Sequence, residues 1–239
     1  MGSSGSADRV DGSPWTEPTT PYWQRLVPLA DWQGSITPPY RYTYPVVLDR
    51  QILGLPIRAL PDRPGRAVAS FIANQASLDV VDALASRMGE LVRPLAPDIV
   101  VGLPTLGMGF CPGVVRGLGQ SRWVPMGYSR KYWYDEALAT HVSSLTTLAS
   151  KTVYLDPNQL DLVVGRRVLI VDDVVSTART LVAVWDFLSA LGAEVVGGVV
   201  AMRQTHRWAE ALGPERSQRV YGVFDTPGLE LRDDGWWPV

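Results

Sequence analysis

The sequence predicts an α/β fold in which a doubly wound, mainly parallel sheet carries a small N-terminal hood, or cap. Short apolar runs within Asp98–Leu103 and Arg167–Val171 suit strands that are buried on both faces. Apolar residues recur at steps of three and four between Val81 and Leu91, which is the period of an amphipathic helix. Strand and helix patterns then alternate as far as Phe224, and that alternation is typical of a parallel sheet.

The amino-acid composition excludes several classes of protein. The chain has 239 residues, 46% hydrophobic and 19% charged, which suits one globular domain with a smaller appendage. A net charge of −2 without a basic block argues against a nucleic-acid partner. No apolar run approaches the roughly 20 residues that span a bilayer. The single cysteine, Cys111, excludes an internal disulfide and fits a cytoplasmic protein, in which we expect a buried, unreactive thiol.

Four segments differ in composition. Residues 1–21 are rich in Gly, Ser, Thr and Pro, which indicates a disordered or tag-like leader. Residues 22–66 carry many aromatic residues and prolines and are expected to form the hood. Residues 67–225 are expected to form the α/β core, and residues 226–239 a C-terminal tail.

The hood is expected to contain two short strands, Tyr42–Leu48 and Ile52–Leu60, because both stretches are rich in strand-forming residues. Pro45 and Pro56 each lack a backbone N–H group and cannot donate to a neighbouring strand. Both strands are therefore predicted at a sheet edge.

The core elements follow in order. Pro94 ends the first helix, and Gly192 ends a later one. Residues 129–164 lack a sustained period, and a segment that long inside an α/β core predicts a functional lid. The other expected elements are a turn at Pro104–Gly109, a helix to about Gly117, strands at Trp123–Tyr128, Glu194–Ala201 and Arg219–Phe224, and helices at Thr180–Leu191 and near His206–Leu212.

Two adjacent acids, Asp172 and Asp173, follow the second apolar run, at the carboxyl end of a strand, where open α/β sheets bind ligands. A turn and a helix start come next, and the unpaired N–H groups of a helix start attract anions. Hydroxyls of Ser176, Thr177 and Thr180 suit a phosphate, whereas the acids suit sugar hydroxyls and a divalent metal. The alternative is an ordinary helix capped by Ser176 or Thr177, which leaves the two acids unexplained.

Val168–Thr180 closely resembles the phosphoribosyl pyrophosphate signature of type I phosphoribosyltransferases. That family usually has Gly-Gly or Gly-Ala where this chain has Ala178-Arg179, and losing glycine narrows the conformations open to the backbone there. The resemblance implies Mg²⁺ bound by Asp172 and Asp173. It also implies that the 5′-phosphate and ribose contact Asp172, Asp173, Val174, Val175, Ser176, Thr177, Ala178, Arg179 and Thr180.

The resemblance extends from about Val46 to Ala201. Val101–Gly107 is similar to a family loop whose backbone approaches the pyrophosphate, although a glycine turn is also ordinary in α/β proteins. Related purine enzymes carry an Arg-Lys pair after the next strand, often reaching the site of a dimer partner. The pyrophosphate contacts implied are Pro104, Thr105, Leu106, Gly107, Ser129, Arg130 and Lys131.

Two further segments concern the lid and the base. Ser143–Leu155 resembles the mobile catalytic loop of adenine and xanthine phosphoribosyltransferases, with Lys151 as its strong cation. Ser70–Gln75 is similar to the start of the base-covering helix in xanthine-type enzymes. Asn74 and Gln75 carry amides that suit a purine edge, and Phe71 suits the face of a base. The alternatives are surface positions for the two amides and core packing for Phe71.

The resemblance therefore implies a homodimeric purine phosphoribosyltransferase of nucleotide salvage, xanthine- or adenine-like. Asp173, Arg130, Lys131 and Lys151 would be its catalytic residues. An alternative is a regulator on the same fold that senses phosphoribosyl pyrophosphate or a nucleotide without turnover. A dinucleotide oxidoreductase is a weaker alternative, because the chain lacks Gly-x-Gly-x-x-Gly at a strand–helix turn.

Overall fold

The computed structural model describes residues 18–142 and 151–239, which fall into two compact units. Of the described residues, 18–71 and 226–239 form unit one, and 72–142 and 151–225 form unit two. Most of the predicted leader, and residues 143–150 of the predicted mobile loop, lie outside the described residues. No helix in the described ranges is long and apolar enough to cross a membrane.

Unit one is built on an antiparallel sheet. The two strands predicted for the hood are present, and residues of the predicted C-terminal tail add two more strands to the same sheet. A small apolar cluster that includes Ile57, Leu229 and Trp236 packs within this unit. Its strands are β1 (Val27–Pro28), β2 (Thr43–Leu48), β3 (Gln51–Ala59), β4 (Arg66–Ala69), β12 (Gly228–Arg232) and β13 (Gly235–Pro238).

The edge position predicted for both hood strands is wrong for β3, which pairs with β1, β2 and β4. Ser70 N donates to Pro56 O at 2.9 Å, but proline has no N–H group to return the bond. The buried Trp23 donates its Nε1–H to Ser70 O at 3.0 Å instead. A side chain from outside the strand thus satisfies the carbonyl that Pro56 cannot reach, and proline is tolerated inside the sheet.

Unit two has the predicted α/β fold, in which a largely parallel sheet is flanked by helices. The strands of this sheet are β5 (Ile99–Gly102), β6 (Val124–Pro125), β9 (Arg167–Val175), β10 (Glu194–Gln204) and β11 (Val220–Thr226), and β7 (Ala139–Val142) forms a separate antiparallel pair with β8 (Lys151–Tyr154). The helices are α1 (Leu78–Val92), α2 (Cys111–Gly117), α3 (Arg179–Ala190) and α4 (Arg207–Ser217). The strand order of the sheet is β11-β10-β9-β5-β6, and α1 packs against α2 and α3 against α4.

The end of β9 differs from the prediction. The sequence predicts that the strand stops before Asp172 and Asp173, but β9 continues to Val175 because the 11-residue β10 still supplies partners. On the other side, β5 ends opposite Val171. Both acids therefore lie beyond the end of one neighbouring strand while they are still held by the other. This step between strands is the crevice expected for ligands at the carboxyl edge of an α/β sheet.

Candidate functional site

Asp172 and Asp173 are adjacent in β9 and both are partly buried. Asp172 Oδ1 accepts a hydrogen bond from Asp173 N at 3.0 Å. Burial, together with the neighbouring charge of Asp173, raises the pKa of Asp172 well above its ordinary value, and burial also raises the pKa of Asp173. Neither carboxylate forms an ion pair with any residue that the structure describes. The pair therefore favours a cation or hydroxyl donors beside it.

The segment after the acids leads into α3 without a side-chain cap. Ala178 is the N-cap, and no side chain accepts a hydrogen bond from the first turn. The alternative in which Ser176 or Thr177 caps this helix is therefore wrong. Thr177 is exposed and Ser176 partly so, which leaves both hydroxyls beside the helix start. N–H groups of a first helical turn have no partner within the helix, so this turn can donate to an anion.

Ala178 has φ +56° and ψ +10°, a left-handed conformation that glycine adopts freely. The side chain is buried. For a residue with a Cβ atom this conformation costs roughly 1–2 kcal/mol. The chain thus keeps a glycine-like backbone conformation at the position where the family that Val168–Thr180 resembles usually has glycine.

The predicted pyrophosphate loop, Pro104–Gly107, lies against the acids. A Cβ atom on Gly107 would lie 2.6 Å from Asp172 Cα and 2.7 Å from Asp172 Oδ1, so only glycine permits this approach. Leu103 N also donates to Val171 O at 2.9 Å, which ties the start of the loop to β9. The sequence-predicted loop and the acid pair are therefore brought together.

Cys111 lies beneath this loop. Its Sγ–H donates to Gly107 O at 3.7 Å, and the residue is completely buried. Burial, and secondarily the charge of Asp172, raises the pKa of the thiol to about 12. The predicted burial of this cysteine is confirmed, and the raised pKa supports the predicted lack of reactivity, because a thiol that rarely ionises is a poor nucleophile.

Two of the three predicted cations, Arg130 and Lys151, contact residues other than the acids. Arg130 Nη1 lies 2.6 Å from Glu136 Oε1 in an exposed ion pair, and Ser129 and Lys131 are also exposed. Lys151 Nζ lies 5.3 Å from the centroid of the Tyr128 ring. None of these cations forms an ion pair with the two acids in the described ranges.

Sequence reasoning missed Tyr128. Its hydroxyl donates to Pro104 O at 3.1 Å. Burial raises the pKa of Tyr128 first, and the charges of Asp172 and Asp173 raise it further, so the phenol lies within the field of both acids. The sequence feature that could have identified Tyr128 is an aromatic residue placed between a strand at the sheet edge and the Arg-Lys pair.

The predicted base-binding residues do not begin a helix. Ala73–Gln75 form a 3₁₀ turn, and α1 starts later because Ser77 Oγ accepts from Val80 N at 3.2 Å and caps it. Asn74 and Gln75 are exposed, and their turn contacts the 3₁₀ turn Gly107–Gly109 beside the acids. Phe71 is buried, which agrees with the alternative of core packing.

Comparison with known proteins gives concordant results. Residues 68–219 match the family model of the phosphoribosyl transferase domain. An adenine phosphoribosyltransferase of Oenococcus oeni is 34% identical over 120 residues, which cover 45% of this chain and 58% of that protein. A xanthine phosphoribosyltransferase of Chloroflexus aurantiacus is 26% identical over 137 residues, covering 56% of this chain and 62% of that one. The match therefore spans little more than half the length of the first relative.

Solved structures share the fold. An adenine phosphoribosyltransferase from Rhodothermus marinus superposes with a TM-score of 0.53 at 22% identity, over 71% of this chain and 93% of that one. The corresponding enzyme from Giardia lamblia, complexed with 9-deazaadenine, gives 0.52 at 20% identity over the same shares.

Proposed function

Because the chain belongs to the phosphoribosyl transferase domain family, we propose that it transfers ribose 5-phosphate from phosphoribosyl pyrophosphate to a purine in nucleotide salvage. The purine is adenine- or xanthine-like, as the names of the similar proteins suggest. One observation carries the proposal, namely the close approach of Gly107 to Asp172. The chain then continues from the acids through a turn into α3, whose start has no side-chain cap. A glycine loop, an acid pair and a free helix start suit a pyrophosphate, a ribose and a terminal phosphate in turn.

The donor would be held at three places. N–H groups and hydroxyls between Ser176 and Thr180 bind the 5′-phosphate, since the helix start carries partial positive charge. Asp172 and Asp173 accept hydrogen bonds from the ribose hydroxyls. Backbone groups of the pyrophosphate loop face the pyrophosphate, because Gly107 lets that loop approach the acids without a side chain between them.

Mg²⁺ fits these residues. The two carboxylates are hard oxygen ligands, and a bound cation would offset the burial that raises the pKa values of both. The described residues contain no cluster of three or more His, Cys, Asp or Glu that could hold a metal, so donor oxygens would complete the coordination, as is usual for Mg²⁺. When bound, the ion would neutralise part of the charge of the pyrophosphate leaving group.

Positioning and charge carry the reaction. As pyrophosphate leaves, the sugar C1 becomes cation-like, and the negative charge of Asp173 below the ring stabilises it. Arg130, Lys131 and Lys151 neutralise the departing pyrophosphate. Arg130 can leave Glu136 at little cost, since an exposed ion pair contributes about 0–1 kcal/mol. A lid that closes over the site would keep water from the reactive carbon.

Pyrophosphate release tests the proposal. The wild-type protein is incubated with donor, Mg²⁺ and a panel of purines, and the double variant Asp172→Asn/Asp173→Asn is the control. We expect release with at least one purine, and none from the variant, whose fold is verified by circular dichroism. Donor binding without product from any base would instead support the regulator, which is favoured by Ala178-Arg179 in place of the family glycines and by a predicted lid sequence without an obvious acid-base residue.

The exposed Ser129–Lys131 segment supports a homodimer in which Arg130 and Lys131 reach the partner's donor site. Complementation tests this arrangement. Arg130→Ala/Lys131→Ala is mixed with Asp172→Asn/Asp173→Asn after unfolding and joint refolding. A heterodimer assembles one complete site only if the cations act across the interface, so recovered activity supports the arrangement. Activity absent from the mixture, although refolded wild type is active, would contradict it.

A further inference from the structure

We infer that Tyr128 is a positioning residue of this site: its hydroxyl anchors the pyrophosphate loop, and its ring holds the Lys151 ammonium ready for the donor. The inference rests on the proposed function and names a residue that serves it. Tyr128 follows β6, and its two contacts reach the loop after β5 and the start of β8. One side chain thereby connects the end of the central sheet to the segment that carries the predicted lid cation.

The hydroxyl contact fixes the start of the pyrophosphate loop. Tyr128 Oη donates to Pro104 O at 3.1 Å, while Gly107 meets Asp172 at the other end of the loop. A tyrosine hydroxyl is ordinarily protonated at neutral pH, and burial, followed by the charges of Asp172 and Asp173, raises the pKa of Tyr128 further, so the hydroxyl remains a donor. Without this bond, the first carbonyl of the pyrophosphate loop loses its side-chain anchor.

The ring contact holds the Lys151 ammonium, which forms no ion pair with Asp172 or Asp173 in the described ranges. Lys151 Nζ lies 5.3 Å from the ring centroid, a distance at which the ring face attracts an ammonium group. Such contacts are weak where water has access, and Tyr128 is 37% exposed. A pyrophosphate with several negative charges can therefore take the ammonium from the ring.

The use of lysine in this chain supports a mobile charge at this place. Only Lys131 and Lys151 are lysines among 22 basic residues; the other 20 are arginines. Arginine forms fixed, two-pronged pairs such as Arg203 with Asp225, whereas lysine carries a compact charge on a flexible stem. Both lysines lie in segments that the family resemblance assigns to the site.

Two lysines also make the inference measurable by NMR. In protein labelled with ¹³C-lysine, we expect the ε-methylene signal of Lys151 to be displaced upfield by the Tyr128 ring. Lys131 is the internal reference, and Lys151→Arg assigns the signals. Tyr128→Leu should remove the displacement, whereas Tyr128→Phe should keep it. Donor with Mg²⁺ should shift the wild-type Lys151 signal downfield as the ammonium leaves the ring.

Donor affinity separates the two contacts. Tyr128→Phe removes only the hydroxyl and should raise the donor Kd about 2- to 10-fold, the range for losing one hydrogen bond. Tyr132→Phe is the matched control, since Tyr132 is 97% exposed, and it should leave the Kd unchanged. Lys151→Met should weaken binding in the wild type and add little in the Tyr128→Leu background, because the two side chains act together.

The outcomes are distinguishable. If the wild-type protein does not bind donor, the proposed function fails and this inference fails with it. If the wild type binds donor, but Tyr128→Phe binds equally well or the Lys151 signal is the same in Tyr128→Leu, only the inference is overturned. Thermal melting of each variant identifies any loss of affinity that comes from misfolding.

Discussion

Replacing Gly107 with alanine tests how closely the pyrophosphate loop must approach the acids. The added Cβ would meet Asp172 Cα at 2.6 Å, Asp172 Oδ1 at 2.7 Å and Val171 O at 2.9 Å, and two of these atoms belong to the backbone of β9. Ordinary contact of a Cβ atom begins near 3.4 Å, so the loop must retreat by about 0.8 Å. Overpacking of this kind costs about 1–3 kcal/mol.

Two measurements follow from that displacement. At about 2–4 °C per kcal/mol for a unit of this size, Tm should fall by about 2–12 °C. A reactive group misplaced by about 1 Å can lower catalysis by about 100-fold, so kcat/KM for the donor should fall by one to two orders of magnitude. Gly109→Ala is the control, because no atom lies within 4 Å of its added Cβ. If Gly107→Ala melts and reacts like the control, the close approach does not matter.

Three other substitutions probe the same site. The pKa of Asp172 is raised in the folded protein, so its stabilising contribution is full below the ordinary carboxyl pKa and is lost as pH rises through the folded pKa. Asp172→Asn should therefore have a higher Tm than wild type at neutral pH, and the difference should narrow in acid. A difference in Tm that does not depend on pH would contradict this. Thr177→Val should weaken donor binding by about 1–3 kcal/mol in calorimetric titration, and an unaltered Kd would exclude its hydroxyl as a phosphate ligand. Ala178→Gly relieves the left-handed strain but also gives the unfolded chain more conformational freedom, and these two effects partly cancel. The free energy of unfolding should therefore rise by up to about 1 kcal/mol. A clearly lower free energy of unfolding in urea would show that Ala178 is not strained.

Much of the fold was predictable because its signals are local. The buried stretches Ile99–Val101 and Val168–Val171 are continuous apolar runs within their strands, and the apolar stripe of α1 follows the helical period. The end of β9 was not predictable, since pairing with β10 carries the strand through two acids that would otherwise mark its end. Nor was the central position of Pro56, because the Trp23 hydrogen bond that compensates for it comes from 47 residues away from Ser70.

The candidate site likewise contains residues that could be predicted from the sequence and residues that could not. Asp172, the pyrophosphate loop and the start of α3 come from compact motifs, and the structure brings the first two into contact. Tyr128 could not be found from a motif, because its role depends on contacts with Pro104 and Lys151, each more than 20 residues away. The helix start predicted at Ser70–Gln75 fails for a local reason: Ser77 is a capping residue, and the preceding turn is closed before α1 begins.

A crystal structure of the protein with phosphoribosyl pyrophosphate and Mg²⁺ tests the central claim most directly. We expect the 5′-phosphate within hydrogen-bonding distance of backbone N–H groups between Ser176 and Thr180, and the ribose hydroxyls on the carboxylates of Asp172 and Asp173. Donor bound elsewhere on the protein, with the turn before α3 empty, would contradict the account.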